Sequence, residues 1–152
     1  MKKCTLSLTV SNRFGVLVKV TTMFSRRGCN IHSLTVCPTH DDKRSRITIV
    51  LYDDEDKITQ IQKQLLKLED VKEVKRVGKD CFECEIALLH LTELPKVPDV
   101  LYVNHHTLQD GTYLIEAMGA PEGIDALMAR LPQETILSLS RSGSTALCLD
   151  PS

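Results

Sequence analysis

The sequence lacks long hydrophobic runs, an excess of charge of either sign, and an N-terminal secretion signal. Its longest apolar stretches have the length of a strand, far short of a membrane span. The formal net charge of the 152-residue chain is −1, so no overall field draws it to nucleic acid or to an anionic membrane. The opening residues MKKCTLS lack the apolar core of a signal peptide. We therefore expect a cytoplasmic protein without nucleic-acid or membrane partners.

The sequence also lacks the short motifs of common catalytic sites. It contains no hydrolase nucleophile elbow, phosphate-binding glycine loop, dinucleotide fingerprint or zinc signature. His105 and His106 are adjacent on a predicted strand and point to opposite faces, and the other histidines have no partner at ligand or triad spacing. We therefore expect a non-catalytic chain that holds no metal and no cofactor. An active site assembled from residues far apart in the sequence stays an open alternative.

Six cysteines are present, but their placement does not predict a disulfide framework. Cys81 and Cys84 form the one CxxC pair, and residues three apart on a strand face opposite ways, so no metal site results. Because cytosolic thiols normally stay reduced, we expect free cysteines. The other four stand singly in or beside apolar runs, as small core residues do: Cys4, Cys29, Cys37 and Cys148.

Apolar periodicity, together with composition, predicts elements in the order β-α-β-β-α-β in the first half. Alternation over residues 6–10 predicts a strand, and helical spacing over residues 16–27 predicts a helix that Gly28 terminates. The following elements are predicted at 31–37, 47–51, 58–68 and 71–77. Periodicity alone leaves the last of these open, since its valines fall three apart, but Glu69-Asp70 interrupts the helix and the segment is short and β-branched, which favours a strand. This order is the ferredoxin-like unit, in which both helices cover one face of a four-stranded antiparallel sheet. The unpaired edges of such a sheet indicate self-association.

The second half predicts a smaller α+β module over residues 81–152. Strands are predicted at 82–91, 100–108, 112–118, 136–139 and 145–149, with a hairpin turn at Gln109-Asp110-Gly111. Two prolines exclude a regular helix at residues 94–98, whereas Pro121 is placed to open one. The predicted fold class is therefore α+β, with a first domain at 1–78 and the smaller module after it.

The segment that joins the first strand to the first helix has features of a small-anion site. Backbone N–H groups at a helix start are free to bind a carboxylate, and Gly15 has no Cβ to obstruct a ligand. Asn12 offers both a donor and an acceptor to an amino-acid zwitterion. The alternative is structural, with Asn12 capping the helix and Gly15 turning the chain. Spacing alone favours the structural alternative.

A long motif gives this segment a more specific meaning. Residues 24–39, FSRRGCNIHSLTVCPT, and SRITI at 45–49 closely resemble the small subunit of acetolactate synthase, a family with an amino-acid-binding ACT domain. The segment Arg141-Ser142-Gly143 is similar to the family's C-terminal region. The resemblance is close over residues 1–78 and weaker beyond, where a proline-containing loop at 94–99 replaces a helix and shortens the second module.

The resemblance implies a regulatory subunit with no catalytic residues. In the family, ACT domains pair side by side and valine binds between the protomers. The family's catalytic large subunit carries thiamine diphosphate, Mg²⁺ and FAD and acts in branched-chain amino acid biosynthesis. The small subunit stimulates this enzyme and makes it subject to feedback inhibition. Carried over residue by residue, the valine ligands are Asn12, Gly15, Val16 and Leu17 of one protomer, with Asn30 and Ile31 of the other. Arg13 lies in the same loop, and we expect it to be solvated.

The alternative function is a free-standing ACT sensor that controls another enzyme or transcription. No DNA-binding helix pair or basic face supports a role in transcription. The length of the shared motif favours the acetolactate synthase subunit. The choice among valine, leucine and isoleucine as effector, and the stoichiometry with the catalytic chain, stay open.

Overall fold

The computed structural model describes residues 1–149 and divides into two compact units. The first unit consists of Met1–Phe82 with the end of the chain from Ala146, and the second consists of Glu83–Thr145. Each unit has its own cluster of buried apolar side chains. The domain limits 1–78 and 81–152 stay a prediction. No helix within residues 1–149 is long and apolar enough to cross a membrane.

The first unit has the predicted ferredoxin-like order. Its strands are β1 (Lys2–Ser11), β2 (Ile31–Pro38), β3 (Arg44–Asp53) and β4 (Val71–Arg76), and its helices are α1 (Val16–Arg26) and α2 (Glu55–Leu65). The strands form one antiparallel sheet in the order β2-β3-β1-β4. The prediction of a β-α-β-β-α-β fold is confirmed.

One apolar stripe on each helix holds the helices on the sheet. Residues spaced three or four apart share a helix face, and the fully buried positions of α1 and α2 follow that spacing. They pack against alternate residues of β1 and β3, which point to one side of the sheet. The buried helix residues are Val16, Val20 and Phe24 of α1, and Ile58, Ile61 and Leu65 of α2.

The register fixes which ends of the strands lie together. Both β1 and β2 run antiparallel to β3, so they run parallel to each other. Leu51 of β3 pairs with Cys4 near the start of β1 and with Ile31 at the start of β2. Ser45 pairs with Val10 of β1 and with Pro38 at the end of β2. Since β2 is an edge strand, its outer side has no neighbouring strand in the sheet.

The second sheet is formed by five strands and carries one α-helix. The strands are β5 (Cys81–Leu91), β6 (Tyr102–Thr107), β7 (Tyr113–Gly119), β8 (Ile136–Arg141) and β9 (Thr145–Cys148), and the helix is α3 (Pro121–Arg130). Their order is β6-β7-β5-β8, with β9 also paired to β5. The predicted α+β class and the helix opened by Pro121 are confirmed. A short 3₁₀ helix at Gln133–Thr135 was not predicted.

The expectation of free cysteines is wrong for one pair. Cys81 and Cys148 are joined by a disulfide, although 67 positions separate them in the sequence. The pairing of β9 with β5 brings the two residues together, and strand pairing of that range leaves no local signal. The other four cysteines are free. Among them Cys37 is exposed near the end of an edge strand, which corrects its prediction as a core residue.

Glu85 of the second unit is a buried carboxylate that depends on one cation. Its side chain is 5% exposed and accepts hydrogen bonds from Nε of Arg141 at 2.6 Å and from Nη2 at 3.0 Å. Arg141 also reaches Asp125 of α3 at 2.8 Å. These hydrogen bonds, above all those to Glu85, raise the pKa of the guanidinium.

Replacing Arg141 with alanine removes the cation and leaves Glu85 buried. We expect the free energy of unfolding to fall by about 3 kcal/mol, because a buried carboxylate without its partner is strongly destabilising. The double variant E85Q/R141A serves as the control, since it removes the buried charge as well. Urea denaturation measures the free energy of unfolding of both variants. Equal losses in the two variants would show that the unpaired charge of Glu85 is not the cause of the destabilisation.

Candidate ligand site at the start of the first helix

Helix α1 begins at a turn that requires glycine. Gly15 has φ of +81°, a conformation that residues with a Cβ rarely adopt, and it is the N-cap of the helix without a side-chain cap. A Cβ built on Gly15 would meet no atom within 4 Å. Glycine is therefore needed here for the backbone, and the space in front of the helix is open to a ligand.

The first turn of α1 presents backbone donors to that space. N–H groups in a first helical turn have no intrahelical acceptor. The Val16 N–H makes only a long contact of 3.5 Å with the Arg13 carbonyl, and the N–H groups of Leu17 and Val18 have no backbone acceptor within residues 1–149. No acidic side chain lies in this turn. The N–H groups and the positive end of the helix dipole can therefore receive a carboxylate.

Asn12 is fixed beside this helix start but does not cap it. Its Nδ2 donates to the Asp42 carbonyl at 2.8 Å, and its backbone N–H donates to the Lys43 carbonyl at 2.8 Å. Both bonds attach Asn12 to the loop between β2 and β3. The prediction that Asn12 caps the helix is therefore wrong, whereas the other part of the structural alternative, that Gly15 turns the chain, agrees with its φ of +81°. The exposed Asn12 side chain keeps its amide oxygen as an acceptor for a ligand.

Asp70 places a buried carboxylate behind the corner, and the sequence pattern gave no sign of this role. Its side chain is 3% exposed and accepts hydrogen bonds from Arg13 Nε at 2.7 Å and from Lys19 Nζ at 3.1 Å. Its backbone carbonyl accepts the Ser11 N–H at 2.8 Å. Asp70 thus connects the end of β1, the following loop and the start of α1. Arg13, expected as a solvated residue, is one of its ion-pair partners.

Opposing effects act on the pKa of the Asp70 carboxyl. Burial raises this pKa, but the hydrogen bonds and the charges of Lys19 and Arg13 lower it more, and the net pKa is below its usual value. The ionised carboxylate therefore contributes stability at neutral pH. That contribution is lost as the pH falls below about 4, the pKa of an unfolded aspartate, toward the lower folded-state pKa.

We expect the variant Asp70→Asn to remove this acid sensitivity from the corner. The unsubstituted chain should lose more unfolding free energy than the variant between pH 5 and pH 3, since only its Asp70 takes up a proton on unfolding. Urea unfolding at a series of pH values measures the difference. Parallel stability–pH curves for the two proteins would show that Asp70 makes no such contribution.

Apolar surface surrounds the donors of the first turn. Leu17, predicted as a ligand residue, is 40% exposed beside them, whereas the side chain of Val16 is buried in the core and leaves only its backbone available. Phe14 is fully exposed and Val18 is 65% exposed. The sequence pattern gave no reason to include Phe14 and Val18, because exposure depends on the tertiary fold.

Asn30 and Ile31 lie at the opposite end of the sheet from Asn12. Ile31 is level with Cys4 across the sheet, and Asn12 follows the end of β1. Cys4 and Ser11 are seven positions apart, which spans about 23 Å at the rise of an antiparallel strand. One chain therefore brings Asn12, Gly15, Val16 and Leu17 together but does not bring Asn30 and Ile31 to them. Both residues lie at the start of edge strand β2, and the Asn30 side chain is exposed.

The residues described, 1–149, contain no cluster of three or more His, Cys, Asp or Glu side chains that could hold a metal ion. Two of the histidines contact residues of other types. His90 contacts Thr112 Oγ1 at 2.7 Å, and His106 lies 3.5 Å from Glu116. The open helix start at Gly15 has ligand-binding chemistry of its own, because its backbone N–H groups are available.

The sheet order, the two covering helices and this open corner define an ACT domain. A family model described as the AHAS small subunit-like ACT domain matches residues 6–73. Two curated relatives, 31% and 34% identical to this chain, match over nearly its whole length, and at that identity and coverage the chain belongs to the acetolactate synthase small-subunit family.

The probable acetolactate synthase small subunit of Archaeoglobus fulgidus is 31% identical over 152 residues, which cover 95% of this chain and 96% of the relative. The acetolactate synthase isozyme 3 small subunit of Escherichia coli is 34% identical over 151 residues and 93% of each chain. The crystal structure of the acetolactate synthase small subunit from Thermotoga maritima matches with a TM-score of 0.83, at 27% identity and full coverage of both chains. These matches extend through the second half, where the sequence motif is weaker.

Proposed function

We propose that this chain binds valine between two of its copies and regulates a separate acetolactate synthase catalytic subunit. The observation that carries the proposal is the open helix start at Gly15, which offers backbone donors to a carboxylate. Support for the partner comes from the relatives, which are named as small subunits of that enzyme. In this proposal the catalytic subunit holds the thiamine diphosphate, Mg²⁺ and FAD, and both chains act in the cytoplasm.

The strand register supports a site shared by two copies. If two β2 edges pair antiparallel about a twofold axis, the start of one β2 lies beside the end of the other. The end of β2 is on the same side of the sheet as the Asn12–Leu17 corner, because Pro38 and Val10 both pair with Ser45. Such a dimer places Asn30 and Ile31 of the partner copy near the corner. It also covers the unpaired edge of the sheet.

The chemistry of the corner matches the parts of an aliphatic amino acid. The carboxylate receives the N–H groups of Leu17 and Val18, and the helix dipole adds to the attraction. The ammonium group needs acceptors, which the Asn12 amide oxygen and the Asn30 side chain can supply. The branched side chain lies against Leu17 and Ile31. One methylene changes binding in such a pocket by about 1–3 kcal/mol, so leucine and isoleucine compete with valine.

Valine regulates the enzyme because it binds two arrangements of the complex with different affinities. Valine shifts the catalytic subunit toward an inhibited arrangement only to the extent that it binds that arrangement more tightly. Couplings between sites are typically about 1–3 kcal/mol, which corresponds to a change of roughly 5- to 150-fold in affinity. The stimulation given by the valine-free subunit uses contacts to the catalytic chain, so it is separable from the corner.

We expect Gly15→Asp to abolish valine binding and feedback inhibition while leaving stimulation intact. The new carboxylate occupies the place of the ligand carboxylate at the helix start, and the positive φ at Gly15 disfavours any side chain. Gly78→Asp is the matched control, since Gly78 also faces open space but has no positive φ. Calorimetric valine titration and inhibition of the reconstituted enzyme measure the two effects. A Gly15→Asp protein with full valine sensitivity would refute the site.

We expect Asn12→Ala to weaken valine binding by removing the amide acceptor for the ammonium group. The loss should be about 10-fold or more in Kd, the effect of one hydrogen bond to a charged group. Asn104→Ala, an exposed asparagine of β6 in the second unit, is the control and should leave Kd unchanged. Unchanged valine affinity in Asn12→Ala would remove Asn12 from the site.

Association with the catalytic enzyme separates this proposal from a free-standing ACT sensor. Sedimentation of the purified chain with a purified acetolactate synthase catalytic subunit should give a complex, and the complex should have higher activity than the catalytic subunit alone. Absence of both complex formation and stimulation would favour the free-standing sensor.

A further inference from the structure

A groove of about 510 Å³ lies along helices α1 and α2 of the first unit, and no carboxylate lines it. The formal net charge of the whole chain is −1, so the groove is a local concentration of positive charge. Four basic side chains line the groove: Lys19, Arg26, Arg27 and Lys67.

Three of these cations have no counter-charge in the structure. Lys19 forms its ion pair with Asp70. Arg26, Arg27 and Lys67 form no ion pair with any carboxylate among residues 1–149, and all three are exposed. The groove therefore has room for carboxylates that the chain itself does not supply.

The lining between the cations includes apolar side chains. Val18 is 65% exposed, and Met23 and Leu68 are only partly covered by the core beneath them. Exposed apolar surface that is bordered by charge is typical of a protein contact. A small inorganic anion would satisfy the cations and leave this apolar surface in water.

We propose that the groove receives a segment of the catalytic subunit that places two or more carboxylates around an aliphatic side chain. The proposal rests on the proposed function, since it takes the acetolactate synthase catalytic chain as the partner. Carboxylates pair with Arg26, Arg27 and Lys67, and the aliphatic side chain covers Val18 and Met23. A second copy is a poor occupant, because a twofold contact centred here places the same cations opposite each other.

The groove and the effector corner share one helix. Lys19 lines the groove and also holds Asp70 behind the corner. Val18 contributes a backbone donor to the corner and a side chain to the groove. A segment seated in the groove thus touches the same helical turn as the effector. This gives the catalytic subunit direct contact with the element whose N-terminus binds valine.

Charge removal in the full chain tests the groove. In the triple variant R26Q/R27Q/K67Q we expect the Kd for purified catalytic subunit to rise about tenfold, the size expected of three exposed ion pairs. Its affinity should also depend less on salt concentration. The control K79Q/K96Q/R130Q removes three exposed cations elsewhere and should bind within twofold of the unsubstituted chain. Thermal unfolding and valine titration of both free variants verify that fold and effector site are intact.

The outcomes distinguish the two proposals. If the unsubstituted chain does not bind the catalytic subunit, the proposed function fails and the groove proposal fails with it. If the unsubstituted chain binds and the triple variant binds as tightly as the control, the groove proposal alone is overturned. A changed oligomeric state of the triple variant in sedimentation assigns the groove to contacts between copies and also overturns it.

Discussion

The positive φ of Gly15 is the constraint on which the functional account depends. It turns the chain from the end of β1 into α1 without a capping side chain, so the first helical N–H groups stay available. The buried carboxylate of Asp70 holds this turn from behind through Arg13 and Lys19. The corner is therefore both open toward solvent and fixed at its base, which suits a small charged ligand.

In the proposed dimer, the sheet that fixes the corner also divides the site between two copies. Parallel β1 and β2 put Asn12 and Asn30 at opposite ends of one sheet, and β2 is an edge strand. A site built across that edge links ligand binding to association. It also lets an effector alter the relative placement of two chains, which a catalytic partner seated on α1 can sense.

Local sequence signals predicted most of the fold, but for residues 12–17 spacing alone favoured a structural role, and the family resemblance supplied their assignment as ligand residues. The apolar spacing of α1 and the alternation of β1 follow from side-chain directions that each element imposes, and residues 12–17 are contiguous. The remainder depends on contacts distant in sequence. Asp70 meets Arg13 across 57 positions, the Cys81–Cys148 bond depends on the pairing of β9 with β5, and the Asn12 amide is taken by a loop carbonyl. Exposure of Phe14 also has no local signal.

In the proposed function, backbone N–H groups at the start of α1 bind the carboxylate of an aliphatic amino acid. Two-dimensional NMR of the ¹⁵N-labelled chain during titration with valine measures this binding, with valinamide, which lacks the carboxylate, as the parallel titrant. We expect saturable shifts of the Leu17 and Val18 amide resonances with valine and none with valinamide. Equal responses to both compounds, or shifts confined to other residues, would contradict it.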